Sequence, residues 1–105
     1  MCFHLSNTKK ATKVEDTFKA RFEDVNTYEP YYHFNGWENK SLYIIKQDET
    51  HLIEPAYWGV MPEDYSIKKR SDFLRKTNTL NARNDNLYSS RLYSQFIEYQ
   101  RCLVI

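Results

Sequence analysis

Hydrophobic residues near the start of the chain recur at helical spacing. Thr12 and Glu15 are spaced as in a capping box, in which a hydroxyl and a carboxylate satisfy free amides at a helix start. The pattern predicts an amphipathic helix over roughly 11–22, with its apolar side chains in the core. The apolar positions three or four residues apart are Ala11, Val14, Phe18 and Phe22.

The other hydrophobic residues fall into short runs that are typical of β-strands. Asn35-Gly36 is a turn signal, and Pro55 interrupts a strand pattern. We expect one or two short helical turns over 88–99. The pattern predicts an α+β fold, mainly antiparallel, in which the amphipathic helix packs on a bent, barrel-like sheet. The predicted strands are 1–5, 31–34, 42–45, 52–53, 56–60 and 101–105.

A chain of 105 residues has the size of one domain, which we place at 1–105. Nine tyrosines and only two glycines indicate a globular, β-leaning protein and argue against a disordered one. The net charge is +1, so any binding to nucleic acid must depend on local patches.

Cysteine use and hydropathy bear on the compartment. The two cysteines lie at opposite ends of the chain, which favours a reducing compartment over a disulfide scaffold. No apolar run approaches the ~18 residues of a membrane span, and the N-terminus lacks the apolar core of a signal peptide. We expect a cytoplasmic protein without a membrane segment.

Cys2 directly follows the initiator Met1. If Met1 is removed, Cys2 carries an amine and a thiol on adjacent carbons, and this pair condenses with an aldehyde to a five-membered thiazolidine. The amine titrates near ~7.7 and the thiol near ~8.5, so both are partly nucleophilic at neutral pH. Taken alone, a Met-Cys start is equally explained by chance.

Asn81-Ala82-Arg83 is a second candidate for chemistry. Arginine offers a fork of donors suited to phosphate, and asparagine offers both a donor and an acceptor. On an extended segment both side chains point to one face. Asparagine and aspartate are also dense over 78–86, so composition alone favours a surface turn.

Two further features suit single-stranded nucleic acid. Trp58 beside Gly59 offers a flat face for stacking a base, although a core tryptophan explains it as well, and Trp37 is a weaker candidate. The basic run over 68–76 suits a phosphate backbone or, equally, a solvated loop. The candidate DNA-binding residues of this run are Lys68, Lys69 and Arg70.

No metal site or cofactor is predicted. The three histidines lack a ligand spacing, and Cys2 with His4 supplies two ligands where zinc takes three or four. Cys102 has apolar neighbours and is expected to be buried.

In order and spacing, four short strings resemble the SOS-response-associated peptidase (SRAP) family, whose members begin Met-Cys and carry Asn-Ala-Arg. The resemblance covers essentially the whole chain. It implies that the protein removes its own Met1 and then forms a covalent thiazolidine cross-link from Cys2 to an abasic site in single-stranded DNA. It also implies that Asn81 orients the amine and that Arg83 holds a phosphate. The strings are Met1-Cys2-Phe3-His4, Tyr57-Trp58-Gly59-Val60-Met61-Pro62, Leu80-Asn81-Ala82-Arg83 and Arg101-Cys102-Leu103-Val104.

The chain departs from the family pattern in two ways. Family members commonly have arginine at the position of His4. Their Arg-Cys-Leu-Val segment is followed by a Gly-Phe-Tyr-Glu-Trp motif and later by a histidine, whereas this sequence stops at Ile105. The resemblance therefore implies the first half of the domain, without the glutamate and histidine of the family's peptidase and cross-linking chemistry.

Two alternatives to the covalent reading stay open. One is a non-covalent single-stranded DNA-binding module that uses Trp58, Arg83 and the basic run. The other is an inactive remnant that forms homo-oligomers through the exposed strand at 101–105.

Overall fold

A computed structural model describes residues 2–105, and Met1 lies outside the described residues. Three single 3₁₀ turns, at Val25–Thr27, Ile67–Lys69 and Asn84–Asn86, lie between the longer elements. The elements in chain order are β1 (His4–Asn7), α1 (Ala11–Phe18), β2 (Arg21–Phe22), β3 (Tyr31–Asn35), β4 (Ser41–Lys46), β5 (Glu49–Tyr57), α2 (Arg70–Lys76) and β6 (Cys102–Val104).

The strands form two sheets. β1 pairs antiparallel with β3, and the larger sheet has the order β2-β5-β4-β6, in which the β2–β5 pair is parallel. A register shift between Ile44 and Lys46 in β4 bends this sheet. The predicted α+β class with mainly antiparallel strands is confirmed, but the described sheets are open and not closed into a barrel.

Helix α1 packs on the larger sheet, as predicted. Val14 of α1 lies in one buried cluster with Phe22 of β2, Tyr43 and Ile45 of β4, and Ile53 of β5. Ile53 has no exposed surface, so the centre of the core lies where β5 passes under the helix. Burial of these side chains is what holds so short a helix on the sheet.

The helix is shorter than the predicted 11–22. It ends at Phe18 because Lys19 adopts a left-handed φ of 53°, and the chain then enters β2. The capping-box prediction is wrong, because the residue before the helix is Lys10 and it makes no side-chain cap. The Glu15 carboxylate instead accepts a hydrogen bond from the Phe22 main-chain N–H at 3.1 Å.

Strand β5 is continuous where the sequence predicted two strands. Pro55 lies within it, opposite Tyr43 of β4. β2 is only two residues long and pairs at Leu52 and Ile53, so at Pro55 the strand has a neighbour on one side only. A proline without an N–H is tolerated there as it is on an edge strand.

Among the described residues the first strand begins at His4, after Cys2 and Phe3, and the Met1 end of the predicted strand lies outside the described residues. The Asn35-Gly36 turn does not join two paired strands, because β3 pairs with β1 while β4 pairs with β5 and β6. Residues 87–99 form a succession of helical turns, as expected.

Strand β6 forms one edge of the larger sheet. Leu103 is 52% exposed and Val104 is 46% exposed. Cys102 is also exposed, so its predicted burial is wrong, because nothing among the described residues covers this edge. No described helix has the length and apolar character needed to cross a membrane.

Candidate functional site around Cys2

Asn81 holds the main chain of Cys2 by both ends of its side-chain amide. The Cys2 main-chain nitrogen donates to Asn81 Oδ1 at 3.0 Å, and Asn81 Nδ2 donates to the Cys2 carbonyl at 2.8 Å. The two residues are 79 positions apart in sequence, so the fold brings the N-terminal segment against the segment that carries Asn81. The nitrogen that Met1 removal would free therefore lies against an oxygen acceptor.

The Cys2 thiol is exposed. Its Sγ donates to the main-chain carbonyl of His4 at 3.2 Å, which turns the sulfur toward β1. The Gly36 N–H donates to the Phe3 carbonyl at 2.9 Å and so ties the residue after Cys2 to the end of β3. Thiol and nitrogen both lie at an accessible surface on a backbone that is fixed on both sides.

The segment that carries Asn81 is braced by two aromatic side chains. Trp58 Nε1 donates to the Leu80 carbonyl at 2.8 Å, and the Tyr93 hydroxyl donates to the Asn81 carbonyl at 3.2 Å. Partial burial raises the pKa of the Tyr93 phenol, so this hydroxyl keeps its proton at neutral pH. No sequence pattern pointed to Tyr93, which lies in the helical turns of residues 87–99.

Arg83 is exposed and already paired. Its Nε and Nη2 donate to the two carboxylate oxygens of Asp85, at 3.1 and 2.6 Å. These bonds raise the pKa of the Arg83 guanidinium further above its usual range. A phosphate at this position would have to compete with Asp85 or share the fork with it.

Trp58 is half-buried and packs closely on the turn after β3. A Cβ placed on Gly36 would lie 2.8 Å from Cε3 of Trp58, so only glycine allows this approach. Gly59, the next residue, has a φ of +109°, which also favours glycine. The tryptophan therefore packs on this turn without being fully buried, and its base-stacking role stays a prediction.

Trp37 is the more exposed tryptophan of the two. It is 44% exposed and stacks on Phe3 at a ring-centroid distance of 5.7 Å. Phe3 directly follows Cys2, so this indole lies closer to the N-terminal cysteine than the sequence suggested.

Arg70 is a correction to the predicted DNA-binding set. It is only 2% exposed, and its guanidinium donates to the main-chain carbonyls of Gly36, Glu38 and Trp58 at 3.2, 3.3 and 2.7 Å. Its Cζ also lies 5.2 Å from the ring centroid of Tyr57. Burial lowers the pKa of Arg70. The first residue of α2 points inward, so this side chain binds the protein's own backbone.

The rest of the basic run reaches solvent. Lys68 and Lys69 lie in the exposed 3₁₀ turn before α2 and are free to approach a phosphate. Arg75 is exposed and paired with Asp72. The run is therefore neither a loop nor a uniform cationic surface.

Two histidine side chains are in contact across the β1–β3 pair, His4 on β1 and His33 on β3. His4 Nδ1 and His33 Nε2 lie 2.8 Å apart, and the two rings are stacked with centroids 4.8 Å apart. The sequence did not reveal this pair, because it depends on the pairing of β1 with β3. Within residues 2–105, no group of three or more His, Cys, Asp or Glu side chains is placed to hold a metal ion.

The fold and this site define a small α+β domain that holds its N-terminal cysteine against an internal asparagine. The chain belongs to the SOS response associated peptidase (SRAP) family, whose family model matches residues 1–105. Membership associates the protein with the response to DNA damage.

Among solved structures, the chain is similar to the crystal structure of a protein from Bacteroides thetaiotaomicron, with a TM-score of 0.78 and 29% sequence identity. The match covers 98% of this chain and 45% of that one, so the present chain spans less than half of that protein's length. Comparison with curated proteins gives no significant match.

Proposed function

We propose that this protein forms a covalent thiazolidine cross-link between Cys2 and the aldehyde of an abasic site in single-stranded DNA. Removal of Met1 precedes the cross-link and is carried out by the protein itself, as an autopeptidase. The protein acts in the cytoplasm, and its two free cysteines suit a reducing compartment.

The double hydrogen bond between Asn81 and Cys2 is the observation that carries this proposal. An ordinary surface cysteine needs no side chain that grips both its N–H and its carbonyl. After Met1 removal, Asn81 Oδ1 accepts a hydrogen bond from the new amine and keeps it beside the exposed thiol. Holding the two nucleophilic atoms together before the aldehyde binds lowers the entropic part of the activation barrier.

The reaction balances without a cofactor. The amine of Cys2 adds to the aldehyde carbon to give a carbinolamine, which loses water to give an imine. The thiol then adds to the imine carbon, and the nitrogen receives the thiol proton. One C–N bond and one C–S bond form, and one water molecule leaves.

The DNA strand is held by exposed groups around Cys2. Arg83 lies two residues beyond Asn81, and Lys68 and Lys69 add positive charge. Trp58 offers the exposed part of its ring for a neighbouring base. Arg70 has no part in this contact, because its guanidinium is buried on three carbonyls.

Intact mass spectrometry tests the covalent step. Protein that begins at Cys2 is mixed with a single-stranded oligonucleotide that contains one abasic site, and we expect a heat-stable adduct that is one water lighter than the sum of its parts. Cys2→Ala should abolish this adduct, and Cys2→Ser should leave at most a labile one. Asn81→Ala should slow adduct formation at least about tenfold, because the amine loses its orientation.

Cys102→Ala is the matched control, since Cys102 is also free and exposed but has no α-amine. It should cross-link at the unaltered rate. A full yield of heat-stable adduct from Cys2→Ala, or from protein that retains Met1, would contradict the covalent mechanism. If Cys2→Ala bound single strands as well as the unaltered protein and neither formed an adduct, the non-covalent alternative would replace it.

A further inference from the structure

We infer that His4 and His33 form a proton-transfer pair for the chemistry of Cys2. The inference rests on the proposed function and goes beyond it, because it assigns the acid and base of the reaction to two residues of this chain. Its basis is the 2.8 Å contact between His4 Nδ1 and His33 Nε2 and the position of that contact relative to Cys2.

Cys2 and His4 lie on the same face of the N-terminal segment. Exposure alternates from residue to residue, with Cys2 and His4 exposed and Phe3 and Leu5 half-buried between them. Residues two apart on an extended segment point the same way and lie about 7 Å apart. The Cys2 thiol therefore lies on the face that carries the imidazole pair, and the carbon that this thiol attacks must come to the same face.

The reaction needs a group that exchanges protons near neutral pH. The carbinolamine must be protonated before its hydroxyl leaves as water, and the thiol must lose its proton as sulfur adds to the imine. Among the described residues, the hydrogen bonds of Cys2 go to the Asn81 amide and to the His4 main-chain carbonyl. Neither partner titrates in this range, so neither supplies or removes a proton.

Two imidazoles in direct contact suit this task. At 2.8 Å, one ring nitrogen carries a hydrogen and the other accepts it, so in the neutral pair one of the two ring protons lies between the rings. Histidine is the side chain whose charge changes most readily near neutral pH, and both rings are exposed to water. The protonated pair donates to the carbinolamine hydroxyl, which leaves as water, so that the nitrogen keeps its hydrogen in an iminium. The neutral pair then accepts the thiol proton as sulfur adds to the iminium carbon, which restores the starting state and gives the same neutral thiazolidine.

The titratable groups nearest to the pair along the chain are Cys2, which precedes β1, and Tyr31 and Tyr32 of β3. Burial raises the pKa of the Tyr31 phenol, and Tyr32 is 83% exposed. Beyond β3 the neighbour is Glu38, which is bound to Lys40 at 2.9 Å. Lys40 is the main cause of the lowered pKa of Glu38, and the charge of His33 acts in the same direction.

The test uses protein released from an N-terminal fusion so that Cys2 is the first residue, which removes the Met1 step from the measurement. His4→Gln and His33→Gln are compared with the unaltered protein, and His51→Gln is the control. His51 is exposed on β5 and lines a surface cavity together with residues of α1, such as Thr12 and Glu15. Intact mass gives the rate of adduct formation over a pH series, both with abasic single-stranded DNA and with glycolaldehyde.

Each of the two substitutions should lower the rate near neutral pH about ten- to hundred-fold, within the usual range of general acid–base catalysis. The dependence of the rate on pH should flatten, and the DNA concentration that gives half the maximal rate should not change. Free imidazole in the buffer should restore part of the lost rate. His51→Gln should behave like the unaltered protein.

An unchanged rate and pH profile in both variants would overturn the inference. A higher half-saturating DNA concentration with an unchanged maximal rate would also overturn it, since the pair would then be a phosphate contact. An unaltered protein that reacts with glycolaldehyde but never with abasic DNA would instead refute the proposed function. The glycolaldehyde rates would still decide the role of the pair.

Discussion

At the residue scale, Asn81 shows how a common side chain becomes specific through its partners. Both ends of its amide are used on the main chain of Cys2, while its own carbonyl accepts the Tyr93 hydroxyl. Leu80, the preceding residue, is buried and is held by Trp58. Both the backbone and the side chain of Asn81 are therefore held by hydrogen bonds, as a residue that positions another group requires.

Arg70 is a charged side chain that is buried in the fold, although the sequence placed it among the exposed DNA-binding candidates. Three backbone carbonyls satisfy its guanidinium, and these belong to the turn after β3 and to the residue that follows β5. A buried cation is tolerated only when its donors are satisfied in this way. The residue therefore joins the two segments that carry Trp37 and Trp58.

Arg70→Ala should lower the free energy of unfolding by about 2–4 kcal/mol, because it leaves buried carbonyls without donors. Arg75→Ala is the control in the same helix, where an exposed ion pair contributes at most about 1 kcal/mol. Urea denaturation of both variants measures the difference. Equal stability of Arg70→Ala and the unaltered protein would show that the carbonyl contacts do not hold this region together.

At the element scale, the basic run is divided between two structures. Lys68 and Lys69 stand in an exposed 3₁₀ turn, whereas α2 buries its first residue and pairs Arg75 with Asp72. Among the described residues of the run, Lys68, Lys69 and the exposed Lys76 form no ion pair, so the run contributes fewer phosphate contacts than its composition suggests.

Replacing Lys68 and Lys69 together by alanine should weaken single-strand binding and reduce its dependence on salt. Each phosphate contact that is lost lowers the slope of log affinity against log salt by about 0.7. Trp58→Ala should weaken binding without a change in slope, because stacking releases no counterions. Fluorescence anisotropy over a salt series measures both, and an unchanged slope in the double-lysine variant would place the DNA on another face.

At the scale of the whole molecule, the larger sheet is asymmetric. Its β2 edge is short and lies beside α1, whereas its β6 edge presents Leu103 and Val104 to solvent. Val104 also lines a groove of about 640 Å³, together with Leu42, Ala56 and residues of the 87–100 segment. An exposed apolar edge strand is a template for pairing with another chain.

We expect a chain of residues 1–105 to associate with a second copy through β6. Light scattering after size-exclusion chromatography, over a series of concentrations, should show a dimer or larger species. The double variant Leu103→Lys/Val104→Lys should shift this species toward monomer, because charged edge strands resist pairing. Tyr99→Lys, at an exposed apolar residue outside β6, is the control, and a monomer at all concentrations in the unaltered chain would disprove the association.

The hydrophobic pattern of the sequence was sufficient to predict the class of fold and most of the helices and strands. Hydrophobic spacing placed the helix and strands because side-chain burial has a period of 3.6 in a helix and 2 in a strand. It failed at 19–22, where helical spacing continued but the Lys19 backbone turned left-handed and the chain joined β5. Local pattern carries no information about which strand lies alongside.

The contacts of the site come from the tertiary structure. The family resemblance implies that Asn81 orients the Cys2 amine, but the two hydrogen bonds that join these residues across 79 positions are visible only in the fold. The His4–His33 pair and the bracing hydroxyl of Tyr93 had no sequence signal, since each depends on a partner from a distant segment. Arg70 was misjudged because charge is a property of the residue, whereas burial is a property of the fold.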